Sequence, residues 1–91
     1  MAVEVCIPTV FRNYTSGSKY VTADGSTVAE VLADLEARHP GLGSRVMGED
    51  GQLRRFVNLY INDVDVRTSG MLDSRLRDGD SLTILPAVAG G

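Results

Sequence analysis

The sequence predicts an α+β domain: a mixed sheet of four to five strands with one main helix packed on one of its faces. Apolar residues alternate with period two near both ends of the chain, and a single stretch between them carries a helical period. Clusters of glycine, proline, aspartate, asparagine and serine separate these segments as turns.

The first strand reads VEVCI, with Val3, Val5 and Ile7 on one face and Glu4 and Cys6 on the other. PTVFRNYTSGS, holding Pro8 and Gly17, predicts a long, partly apolar loop, after which KYVTA (Lys19 to Ala23) returns as the second arm of a hairpin. Beyond Asp24-Gly25, the spacing Thr27-x-x-Glu30 is a capping box, each side chain satisfying a free backbone amide at a helix start. Val28, Val31, Leu32 and Leu35 then form one buried stripe, while Glu30, Asp34, Glu36 and Arg38 face water. His39-Pro40-Gly41 ends the helix, because proline cannot continue its hydrogen-bond ladder. Gly43 to Gln52 is glycine-rich and polar, which predicts a loop. RFVNLYIND alternates again, with Val57, Leu59 and Ile61 inward and Phe56, Asn58 and Tyr60 outward. Asn62-Asp63 turns into a short companion strand, Val64 to Arg67, then MLDSRL forms a brief helical turn and Asp78-Gly79-Asp80 leads into SLTIL. Two hairpins joined by a helix, with the first strand set beside the last, suit a β-grasp spanning residues 1–85, followed by a flexible tail, PAVAGG, over 86–91.

Composition excludes several functions. A net charge of −3 with both signs interspersed offers no basic face for nucleic acid. The apolar runs fall far short of the ~18 residues of a membrane span. The opening MAVEVCIPTV lacks the basic start of a signal peptide, so the expected location is the cytoplasm. One cysteine can form neither an internal disulfide nor a metal cluster.

Side-chain chemistry is sparse. Cys6 stands without a neighbouring histidine or cationic cluster to activate it and reads as a packing residue. His39 falls in the last helical turn, where the free carbonyls favour a cation. Asp63 and Asp65 open like a calcium loop, but the sixth position is not glycine and Ser74 stands where the bidentate glutamate belongs. GEDGQ and DGD lack the lysine and helix start of a phosphate cradle. No triad, metal site or nucleotide loop emerges, so the chain is not expected to be an enzyme or to bind a cofactor of its own. The outer sheet face is more informative. Alternation places Phe56 and Tyr60 there with Cys6 and Leu85, and no remaining segment covers them, which predicts a docking patch rimmed by Arg54, Arg55 and Arg67.

The layout, the stretches CIPTVFR, FVNLYINDVDVR and DGDSLTILPAVAGG, and diglycine placed directly after the last strand resemble the ubiquitin-like sulfur carriers of the ThiS/MoaD family, most of all its CysO type. The likeness runs over nearly the whole chain, and Cys6 is an unusual residue to expose in such a carrier. The resemblance implies a protein cosubstrate with a ubiquitin-like β-grasp, monomeric when free. An adenylyltransferase related to ubiquitin-activating enzymes would use ATP and magnesium to adenylate the Gly91 carboxylate. A sulfur donor then leaves a thiocarboxylate, which an acceptor enzyme uses as its sulfide source. In the CysO type the acceptor is a cysteine synthase and a metalloprotease releases the cysteine; related carriers feed molybdopterin, thiamine or secondary-metabolite pathways.

Elementary chemistry agrees with that expectation. A terminal carboxylate is ionised at neutral pH and is a poor acyl electrophile until activated. Gly90 and Gly91, lacking Cβ, could thread a channel too narrow for side chains, with Ala89, Val88, Ala87 and Pro86 spanning the distance to the domain. Extended, the six-residue tail reaches roughly 20 Å. Two alternatives stay open: a ubiquitin-like modifier joined through Gly91 to lysines, and a β-grasp interaction module whose tail has no chemistry.

Overall fold

The computed structural model describes residues 2–86. Five strands form one sheet in the order β2-β1-β5-β3-β4, from β1 (Ala2–Cys6), β2 (Tyr20–Asp24), β3 (Val57–Ile61), β4 (Val64–Asp65) and β5 (Ser81–Pro86). The central pair, β1 and β5, is parallel, with Val5 beside Leu82 and Cys6 beside Thr83. All other pairs are antiparallel, so the sheet is mixed as the sequence predicts.

Helix α1 (Val28–Arg38) crosses one face and buries Val28, Val31, Leu32 and Leu35, the stripe its periodicity marks. They meet Val3, Val5, Ile7, Leu59, Leu82 and Ile84 in one core. The helix start differs from a reciprocal capping box in one bond. Thr27 Oγ1 accepts from the Glu30 amide at 3.2 Å, but the Glu30 carboxylate reaches past Thr27 and takes both the amide and the hydroxyl of Ser26 at 2.9 Å. These bonds hold the Glu30 carboxyl below its ordinary range, the Ser26 amide contributing most. His39 occupies the cap position at the other end, its amide donating to the Leu35 carbonyl.

Three connections depart from expectation. The Gly43–Gln52 loop begins inside a second helix, α2 (Leu42–Val46). Leu42 and Val46 lie four residues apart and bury together in the core, and Gly43 permits the approach, since a Cβ there would sit 2.8 Å from Cβ of Glu36 on α1. The loop after β1 is wound as a 3-10 helix over Thr9–Thr15, anchored where Arg45 Nε of α2 donates to the Tyr14 hydroxyl at 2.6 Å. Pro86, assigned to the tail by sequence, belongs to β5 and pairs with Val57, so the folded unit extends one residue further. Ala87, Val88, Ala89, Gly90 and Gly91 lie outside the described residues.

Among the described residues no helix is long and apolar enough to cross a membrane. No three metal-ligating side chains converge among them either.

Depressed carboxyl groups make stability pH-dependent. Glu30 and Asp80 have folded-state values below their ordinary 4.5 and 3.8, so their contribution is complete above those values and is lost as pH falls through the lowered ones. Thermal melting should therefore hold steady down to about pH 5 and fall below it. In Glu30→Gln and Asp80→Asn that fall should be shallower, as read by circular dichroism at a series of pH values.

Candidate functional site

Because Val5, Leu82, Ile84, Val57 and Leu59 point into the core, their neighbours in sequence are turned to the opposite face, which α1 does not cover. The strand register lines up one row across that face: Tyr20 on β2, Cys6 on β1, Thr83 on β5, Tyr60 on β3 and Asp65 on β4. Leu85 pairs with Asn58 in the next row toward the end of β5 and is 46% exposed. Cys6 is half-buried, and borders with Tyr20 and Thr83 a depression of about 350 Å³. Tyr60, Asp63, Thr83 and Leu85 line a second of about 240 Å³.

The turn beside these depressions is firmly built. Asn62 and Asp63 both have positive φ, 48° and 73°, as a two-residue hairpin between β3 and β4 demands. Asn62 Oδ1 accepts from the Ser81 amide and its Nδ2 donates to Asp80, both at 3.0 Å, tying this turn to the start of β5. The Arg77 amide donates to the other Asp80 oxygen at 2.8 Å and is the main cause of the lowered Asp80 value, followed by Asn62.

The structure brings Cys6, Tyr60 and Leu85 onto this face and separates the other expected members from it. Phe56, 62% exposed, sits in the turn closed by the Val57 amide on the Arg54 carbonyl, before β3 begins. There it lines a depression with Leu53, Arg54, Arg55 and the 48–50 loop. Arg54 is no rim residue of the sheet face: its Nε donates to the Ser44 carbonyl of α2 at 2.8 Å, and the side chain borders a groove of about 500 Å³ between α1 and α2. Arg55 is exposed beside Phe56, and Arg67 is exposed in the 3-10 turn after β4, next to Asp65. Tyr20 and Thr83 were missed by sequence reasoning although alternation from the buried Ala23 and Ile84 places both outward.

The ThiS family model matches residues 5–91. The chain belongs to the ThiS family. It is 54% identical over 93 residues to the sulfur carrier protein CysO of Mycobacterium tuberculosis, with all of both chains covered. The crystal structure of that CysO superposes with a TM-score of 0.90 at 52% identity, covering 94% of this chain and 99% of the other. CysO in the BexX/CysO complex of Amycolatopsis orientalis superposes with a TM-score of 0.91 at 54% identity, covering 98% and 99%. The small archaeal modifier protein 1 of Haloferax volcanii is 35% identical over 79 residues, covering 84% of this chain and 86% of the relative. The relatives named sulfur carrier proteins are small ubiquitin-like carriers rather than enzymes.

Outer-face and core positions of the same strand should respond differently to truncation. Leu85→Ala should change the urea unfolding free energy by no more than about 0.5 kcal/mol. Ile84→Ala, one residue away and fully buried, should cost about 2–5 kcal/mol.

Proposed function

We propose that this protein is a sulfur carrier whose reactive group is the backbone carboxylate of Gly91. The supporting observation is the end-to-end alignment with a protein named for sulfur carriage, 54% identical with both chains fully covered, so that Gly91 falls at the relative's own end. An adenylyltransferase of the ubiquitin-activating type, using ATP and magnesium, forms the Gly91 acyl-adenylate. Sulfide from a donor displaces AMP, and the thiocarboxylate then serves a sulfur-accepting enzyme, a cysteine synthase in the reading closest to CysO, with a metalloprotease releasing the product. Activation by ATP suits a cytoplasmic setting.

A carrier in this role needs no catalytic side chain of its own. Carboxylate activation needs a leaving group and a nucleophile that the partners carry, so the carrier supplies an acyl group on a tether and a surface to hold. The face formed by Cys6, Tyr60, Thr83 and Leu85 lies on the same strands that deliver the chain to Pro86, so a partner seated there would have the tail at hand. Complex formation by the Amycolatopsis relative with BexX supports docking as the mode of action.

Likeness to archaeal modifier proteins favours a second reading, in which the activated glycine is passed to lysine amines of other proteins. Co-production with the activating enzyme and a sulfur donor distinguishes the two. The carrier reading expects the intact mass to rise by the difference between sulfur and oxygen, with loss of that gain on deleting Gly90 and Gly91. Isopeptide conjugates without the mass gain would support the modifier instead. Leu85→Ala and Tyr60→Ala should weaken binding to the activating enzyme roughly 10-fold or more, as expected where truncation of a buried interface residue costs above 1 kcal/mol, and unchanged titrations would remove the docking face.

A further inference from the structure

The 91 residues hold eight arginines and a single lysine, Lys19. Arginine and lysine carry the same charge, but a guanidinium stays protonated and does not attack acyl groups, whereas a lysine amine does once deprotonated. An activated Gly91 therefore meets two amines on its own chain, Lys19 and the N-terminus.

The sheet register places Lys19 and Ala2 at opposite ends of the domain. Tyr20 is level with Cys6, and Cys6 with Thr83, so Lys19 stands level with Ile84. Its backbone is fixed there by the Ile7 amide, which donates to the Lys19 carbonyl at 2.7 Å. From β2 to β5 is two strand spacings, about 10 Å, and Pro86 lies two residues further along, about 7 Å. The separation is roughly 12 Å, while residues 87–91, extended, span up to about 17 Å. Ala2 is two residues before Glu4, which pairs with Ser81, so it lies some seven residue rises, roughly 23 Å, from Pro86. Lys19 is exposed, its Nζ resting 5.3 Å from the Tyr20 ring centroid at the margin of the outer face.

We propose that Lys19 is the intramolecular acceptor of the activated C-terminus, closing a Gly91–Lys19 isopeptide that ends the carrier's working life. The inference rests on the reading that Gly91 is activated. The deprotonated Nζ adds to the Gly91 carbonyl carbon, the C–N bond forms, the C–O bond to AMP breaks, and the second amine proton passes to solvent. No oxidant or reductant is needed. A tether this short gives an effective concentration on the order of mM, so the reaction within one chain outruns transfer between chains in dilute solution. The product has no carboxylate left to adenylate. A partner that encloses the tail from activation to sulfur delivery would prevent the closure, and escape of the adenylate would permit it.

The test bypasses the activating enzyme, so its failure is separate from failure of the carrier reading. The full chain is released from an intein fusion as its Gly91 thioester, in which the C–S bond takes the place of the C–O bond, and is incubated at micromolar concentration. The expected product is a monomer lighter than the free acid by one water, with a cross-linked Gly91–Lys19 peptide on digestion. Lys19→Arg, an exposed substitution that keeps the charge, should yield hydrolysed acid alone. Hydrolysis as the sole outcome for the unmodified chain, linkage through the N-terminal amine, or covalent dimers in place of the light monomer would each overturn the assignment.

Discussion

Parallel pairing of β1 with β5 is the constraint on which the rest of the molecule depends. Only three residue pairs define it, Glu4–Ser81, Val5–Leu82 and Cys6–Thr83, yet they join segments from the two ends of the chain. A parallel pair cannot be closed by a tight turn, so everything between β1 and β5 serves as a long crossover. Helix α1 lies in that crossover and covers the core side of the central strands. Since β5 then runs between β1 and β3, the chain leaves the middle of the sheet at Pro86 instead of its edge. The pairing with β1 stops at Thr83, and β3 alone accompanies β5 to Pro86 through its pairing with Val57.

The sheet edges are closed to further strands. On β2 the Thr22 carbonyl accepts from Arg38 at 3.2 Å and the Asp24 amide donates to Asp34 at 2.8 Å, groups that would otherwise invite another chain. Arg38 also pairs with Asp24 and Asp34, each at 2.8 Å, which keeps it over the edge. At the other margin β4 is two residues long. With the edges guarded and α1 on one face, the outer face carrying Tyr60, Leu85, Thr83 and Cys6 is the broad side of the sheet left uncovered among the described residues.

Period-two alternation was enough to read β1, β3 and β5 and to assign their inward and outward residues, because strands buried on one face cannot slip register without exposing the core. The Thr27 cap and the α1 stripe were equally legible. What escaped depended on contacts distant in sequence. Helix α2 is hidden by Gly43, whose lack of a side chain looks like loop composition until Glu36 is seen beside it. The turn before β3 interrupts the alternation that would have carried Phe56 onto the outer face, and Arg54 is drawn to the carbonyl of Ser44. Glu30 prefers Ser26 to Thr27 because both the amide and the hydroxyl of Ser26 are in reach.

Under the proposed sulfur-carrier role, the sheet that reaches Pro86 would serve as a support for an acyl group at Gly91 that changes state. A support of this kind should be indifferent to what its tail carries, so that recognition of loaded and empty forms falls to the partners. The direct test compares amide nitrogen–proton NMR spectra of the Gly91 carboxylate with the thiocarboxylate prepared by sulfide release from an intein fusion. Shift changes confined to residues after Pro86, with the amides of Val5, Leu82 and Ile84 unmoved and equally protected from exchange, are what the account predicts. Changes spreading through β1 and β5 would contradict it, because the loaded state would then be written into the fold itself.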